Sequence, residues 1–198
     1  ESILNVKQRC KMRKIREGDV FKVNQGNASV VVLEYNSYTN VKVKYLNDIG
    51  NVMTVRADHL REGRIKNPYH RTALGVGYIG QGPFKSGSKG RHTRCYSAWY
   101  SMLERCYSEK RKLKNPTYND VTVCEEWHNF QNFAEWFYQQ PNAEKRGYDL
   151  DKDLIIVNNK VYCPEACSFV PQEVNKVLLM MVYQEVFTNI VVNTKYQL

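Results

Sequence analysis

Long apolar runs are missing from this chain of 198 residues. A bilayer-spanning helix needs about 20 consecutive apolar residues, and the longest uncharged apolar run near the C-terminus, Val177 to Tyr183, is far shorter. The start shows no basic n-region, apolar h-region and small-residue cleavage site, so the expectation is neither export nor membrane insertion. Acidic charge is short as well: 20 Asp and Glu face 29 Lys and Arg, a formal net charge of +9. Histidine is limited to four residues and proline to six. No collagen-like repeat occurs, and with 42% apolar and 25% charged residues the composition excludes wholesale disorder. The length suits one medium domain or two small ones.

Six cysteines are present (Cys10, Cys95, Cys106, Cys124, Cys163 and Cys167). An even count suggests a disulfide framework in a short secreted chain; this chain is longer and shows no export signal, so reduced and mostly buried thiols are expected. Cys163-x-x-x-Cys167 could supply two zinc ligands, with more from Cys95, Cys106 or Cys124. No second tight pair exists, and zinc is not expected.

The positive charge is clustered. Residues 1–18 hold six bases and two acids, and residues 56–114 hold fourteen bases and four acids. Such clustering creates a field that steers a polyanion, whereas scattered bases mainly aid solubility. The bases do not lie along one amphipathic helix, which argues against a membrane surface. Several of the fourteen tyrosines adjoin bases, as in Arg94-Cys95-Tyr96 and Arg105-Cys106-Tyr107. A tyrosine can pack its ring and still hydrogen-bond a phosphate.

Along the chain, residues 1–17 read as a basic arm. Val20–Val23, Ala28–Tyr35, Val41–Tyr45 and Val52–Val55 are β-branched and aromatic with turn residues between them, which predicts a small curled sheet, SH3-like in size, over residues 18–68. Residues 69–94 are a linker in composition, within a stretch that carries seven of the eleven glycines. Gly75-Val76-Gly77-Tyr78-Ile79-Gly80 imitates a dinucleotide-binding loop but lacks the flanking strand and helix. Tyr96, Trp99, Met102, Leu103 and Cys106 stand at helical spacing, and Lys110–Pro116 reads as a basic loop. A second helix is predicted over 125–139, with Trp127, Phe130, Phe133, Trp136 and Phe137 as its core stripe. Then follow an extended Leu150–Val157, a turn at Asn158-Asn159-Lys160, a strand at Val161–Cys163, and a helix from about Pro171. The tail, 178–198, is apolar and β-branched and could pack on the domain or make a homodimer.

Between Asp149 and Asn175 the order is acidic strand, Asn-rich turn, strand, helix. With Trp99-x-x-Met102-Leu103-x-Arg105-Cys106-Tyr107, Val121-x-Val123-Cys124-x-x-Trp127-x-x-Phe130-x-x-Phe133, Leu150-Asp151-Lys152-Asp153 and Tyr162-x-Pro164-Glu165-x-Cys167-x-Phe169-Val170-Pro171, the chain resembles phage-encoded HNH (His-Me finger) homing endonucleases. Glu62-Gly63-Arg64-Ile65-Lys66-Asn67-Pro68 resembles the end of an amino-terminal module found in some of them. The resemblance implies an α+β chain: a β-rich module, then a helical domain over 95–177 carrying a ββα finger. In that family a histidine at the first finger strand activates water, and Asp and Asn hold one divalent metal on the scissile phosphate. Here the strand ends Asp151-Lys152, and Pro164-Glu165-Ala166 stands where Pro-Glu-Asn is usual. Lysine is protonated at neutral pH in water.

The resemblance therefore implies a degenerate finger. Asp151, Lys152, Asp153 and Asn175 would be its vestiges, with no catalytic residue, no metal and no cofactor; Mg²⁺ would return only if the chain were an active nicking enzyme. Lys152 would instead grip a phosphate, and His92 or His128 would have to reach the site from outside. The implied partner is double-stranded DNA in a bacterial cytoplasm, bound as by the domesticated, cleavage-deficient repressors of phage satellites. Lys11, Arg13, Lys14, Arg16, Arg61, Arg64, Lys66, Lys85, Lys89, Arg91, Arg94, Lys112 and Lys114 would contact it. An RNA- or protein-binding module is the remaining alternative.

Overall fold

The computed structural model describes residues 14–24, 28–46, 51–156 and 158–177. The basic arm before Lys14 and the tail from 178 lie outside these. The chain forms two compact units, Glu1–His70 and Arg71–Leu198.

In the first unit four strands, β1 (Val20–Lys22), β2 (Ser29–Ser37), β3 (Asn40–Tyr45) and β4 (Val52–Val55), pair antiparallel in sequence order. Strand side chains alternate between faces, so Val30 and Val32 of β2 and Val41, Val43 and Tyr45 of β3 all point into one core. Lys42 and Lys44 fall on the other face, where Lys42 pairs with Glu34 at 3.3 Å. Helix α1 (Ala57–Arg61) closes this core with Ala57 and Leu60, joined by Ile15 and Ile65. Each fully buried valine or leucine contributes about 1.5–3 kcal/mol relative to exposure.

The second unit is built around α2 (Arg94–Tyr107) and α4 (Phe130–Gln139). The Thr93 hydroxyl caps α2 by accepting from the Tyr96 N–H at 3.1 Å. The stripe Cys95, Trp99, Met102, Leu103 and Cys106 is buried against Trp127, Phe130, Phe133 and Phe137. Trp99 Nε1 donates to the Trp127 carbonyl at 2.7 Å, which satisfies the indole inside the core.

Four expectations need correction. The stretch 69–94 is not a spacer. Ala73 is buried, and Gly77 lies so close to Trp99 and Leu103 that a Cβ would stand 2.5 Å from Leu103 Cδ1. The Gln131 amide ties down both Ile79 and Phe84. Glycine permits close approach as well as flexibility, and composition does not tell the two apart.

The predicted helix over 125–139 is broken. Glu125–His128 is a 3₁₀ turn, and α4 starts anew with Asn129 as its cap. The reason is tertiary: Tyr78 bonds the His128 carbonyl and the Phe130 N–H, both at 2.9 Å, so that backbone is unavailable for a continuous helix. The basic loop at 110–116 is largely helix α3 (Glu109–Lys114).

Finally, Tyr148–Asp151 pairs antiparallel with Ser168–Pro171. Val161–Tyr162, the expected partner, pairs parallel with Thr122–Val123 instead. The order is thus strand, long loop, strand, followed by the helical residues 172–177.

Candidate nucleic-acid interface

At the end of Tyr148–Asp151 the three aspartates are all engaged within the protein. Asp151 is buried, and its Oδ1 accepts the N–H groups of Asp153 (2.9 Å) and Leu154 (2.7 Å), closing a turn. Asp149 Oδ1 accepts from the Gln172 amide at 3.2 Å. Asp153 receives Lys152: the ammonium lies 2.7 Å from both carboxylate oxygens and donates to the Asn159 carbonyl at 2.6 Å. The Asn159 side chain in turn bonds the Lys152 carbonyl and both backbone groups of Val161.

Lys152 is therefore a pin through the loop, and the expectation that it grips a phosphate is corrected. A side chain only 9% exposed, with its ammonium already given to Asp153 and Asn159, has nothing left to offer a ligand. The same donor set does not fit a divalent cation, because an ammonium already occupies the face of Asp153 and Asp151 is turned onto backbone N–H groups. Asn175 lies half-buried in 172–177, and no hydrogen bond joins it to the aspartates among the described residues. Among those residues no group of three or more His, Cys, Asp or Glu is placed to hold a metal ion.

Neither outside histidine contacts the aspartates. His92 stacks on Tyr96 with centroids 4.5 Å apart. His128 meets Tyr107, whose hydroxyl also accepts from the Val123 N–H, and burial together with Arg71 holds its imidazole below the usual range. The five described cysteines are free thiols. Burial pushes Cys95 and Cys167 up to about 12 and Cys106 to about 11.

The candidate DNA-contacting bases fall into separate groups. In the first unit Lys14, Arg16, Arg64 and Lys66 are exposed, and Arg61 is half-buried. Lys14 and Arg61 line one hollow, while Arg64 is ion-paired to Glu62. Lys11 and Arg13 lie outside the described residues. In the second unit the short strands Gly87–Ser88 and Arg91–His92 form a hairpin whose turn is Lys89-Gly90, both at positive φ, the pattern of a tight two-residue turn. It carries Lys89 and Arg91 exposed, with Lys85 exposed just before it. Lys112 and Lys114 stand on α3, half-buried and exposed respectively. Arg94 is half-buried, its guanidinium donating to the carbonyls of Ala143 (2.6 Å) and Tyr148 (2.5 Å). It fastens α2 to the start of the strand Tyr148–Asp151.

One feature escaped the reading of the sequence. The polar face of α2 and the segment after α3 enclose an open cleft of about 520 Å³, lined by Arg94, Ser101, Arg105, Arg111, Thr117 and Asp149 among others. Its signal was present as Arg94, Ser97, Ser101 and Arg105, spaced along the face opposite the Trp99 stripe.

No family model matches the chain, and no curated protein or solved structure matches it either.

Proposed function

We propose that this chain is a sequence-specific double-stranded DNA-binding protein, derived from an HNH homing endonuclease, that represses transcription by occupying a promoter or operator without cutting it. In this reading the first unit is an SH3-like module and 148–177 is a degenerate ββα finger. The observation that carries the reading is Lys152. Where the family keeps a water-activating imidazole, this chain has an ammonium spent on holding its own loop, while exposed bases remain at Lys85, Lys89 and Arg91.

About six phosphate contacts would give a slope near −5 for log affinity against log salt, at about −0.9 per phosphate. The decisive experiment is selection of bound fragments from genomic DNA with Mg²⁺ present, scoring occupancy and breakage together. Enrichment of a discrete sequence class, unbroken, is the expected result. Nicking that vanishes in Asp151→Ala would overturn the loss of cleavage, and absence of duplex binding would overturn the reading altogether. Replacing Lys89 and Arg91 together with alanine should weaken all duplexes alike and reduce the salt slope by about 2.

A further inference from the structure

Arg105 is held in an unusual state. Its guanidinium lies over the Tyr162 ring, 5.3 Å from the centroid, and its Nε is enclosed without a hydrogen-bond partner. No carboxylate is within ion-pairing distance of it among the described residues. A buried donor left unmade costs about 1–3 kcal/mol, and more when it is charged; Arg105 also lines an open cleft, through which its charge can meet an anion.

The surroundings name the chemistry. Arg94 spends its hydrogen bonds on neutral carbonyls, so its charge stays uncompensated, and Arg111 enters from α3 with Glu104 at 3.2 Å. Against these three guanidinium groups stand two carboxylates: Asp149 in the lining, bonded to Gln172, and Glu104, which takes up one edge of Arg111 and leaves a net positive charge. Ser101 and Thr117, both exposed, line it as well and carry hydroxyls. Guanidinium forks plus hydroxyl donors suit the oxygens of a tetrahedral oxyanion.

We propose that this cleft seats one phosphodiester group of the duplex backbone, with Arg105 and Arg111 as its charged donors and Ser101 and Thr117 as its neutral ones. The inference rests on the DNA-binding reading above and deepens it by naming where the second unit grips the backbone. It also gives Arg94 a double role: its bonds to Ala143 and Tyr148 set the wall of the cleft while its charge adds to the field inside.

The test is fluorescence anisotropy with a labelled duplex between 50 and 300 mM KCl, using the full chain and its Ser101→Asp, Ser101→Ala and Arg105→Lys variants. Ser101 is exposed on α2, so an aspartate there leaves the core intact while placing a second carboxylate in the cleft; circular dichroism verifies the fold. Ser101→Asp should weaken duplex binding at least tenfold at the lowest salt and reduce the salt slope by about 1. Ser101→Ala should lose less than threefold, and Arg105→Lys, lacking the fork, about fivefold. If Ser101→Asp binds like the parent while the Lys89/Arg91 variant is weakened, the cleft inference falls and the DNA reading stands. If the parent has no duplex affinity, both fall. Inorganic phosphate at constant ionic strength supplies the last arm. Saturable phosphate binding that Ser101→Asp abolishes, with duplex affinity unchanged, would make this a free-phosphate site and overturn the assignment.

Discussion

Lys152→Met tests the role of Lys152 as a pin in the loop after Tyr148–Asp151 most sharply. The methionine keeps the length and apolar stem of the side chain but removes three contacts, to both Asp153 oxygens and to the Asn159 carbonyl. Removing one member of a buried ion pair costs about 3–5 kcal/mol, because the other is left uncompensated. Asp153 is 28% exposed, so water recovers part of that cost, and about 2–3 kcal/mol of destabilisation is expected. The three tryptophans, Trp99, Trp127 and Trp136, all lie in the second unit, so their fluorescence reports that unit alone. With a urea slope of about 2 kcal/mol/M, the midpoint should fall by about 1–1.5 M. Adding Asp153→Asn should restore at least half of the loss, since the stranded carboxylate is then gone. A midpoint within 0.3 M of the parent (about 0.6 kcal/mol at that slope) would refute the pin and reopen a ligand role for Lys152.

Two further outcomes follow from packing. Gly77→Ala should destabilise the second unit by about 1–3 kcal/mol, the cost of overpacking, because the new methyl would meet Leu103 and Trp99 at 2.5–2.9 Å. Gly90→Ala, where a Cβ meets nothing within 4 Å, should cost about 1–2 kcal/mol of left-handed strain alone; a Gly77→Ala loss under about 1 kcal/mol in paired urea titrations would show that residue 77 is not wedged. Cys95, Cys106 and Cys167, held up to about 12, 11 and 12, should resist a thiol-disulfide reagent between pH 7 and 9 and react only as the unit unfolds. Rapid labelling of these three in native protein, located by peptide mass, would contradict their burial.

Much of the fold was legible locally. The strands of the first unit were readable because Val41, Val43 and Tyr45 alternate with Lys42 and Lys44, and because Val30-Val31-Val32 is a β-branched run, both of them properties of a strand by itself. Helix α2 was readable for the same kind of reason, its stripe recurring at the helical period. The pair Asp151-Lys152 could also be found in the sequence, but the fate of its ammonium could not, since Asn159 is brought to it by a loop.

Tertiary structure decided the rest. Whether Tyr148–Asp151 pairs with 161–162 or with Ser168–Pro171 depends on non-local hydrogen bonds that no residue pattern specifies. The break at Asn129 exists because Tyr78 claims the backbone around it, and Gly77 is a point of close approach because Trp99 and Leu103 stand behind it. Charge composition located the basic stretches; only the folding of α2 beside the segment after α3 gathered Arg94, Arg105 and Arg111 around one cleft. Periodicity records which face of an element is apolar, while the partner that covers it, and the polar group left over, are set by the packing of distant segments.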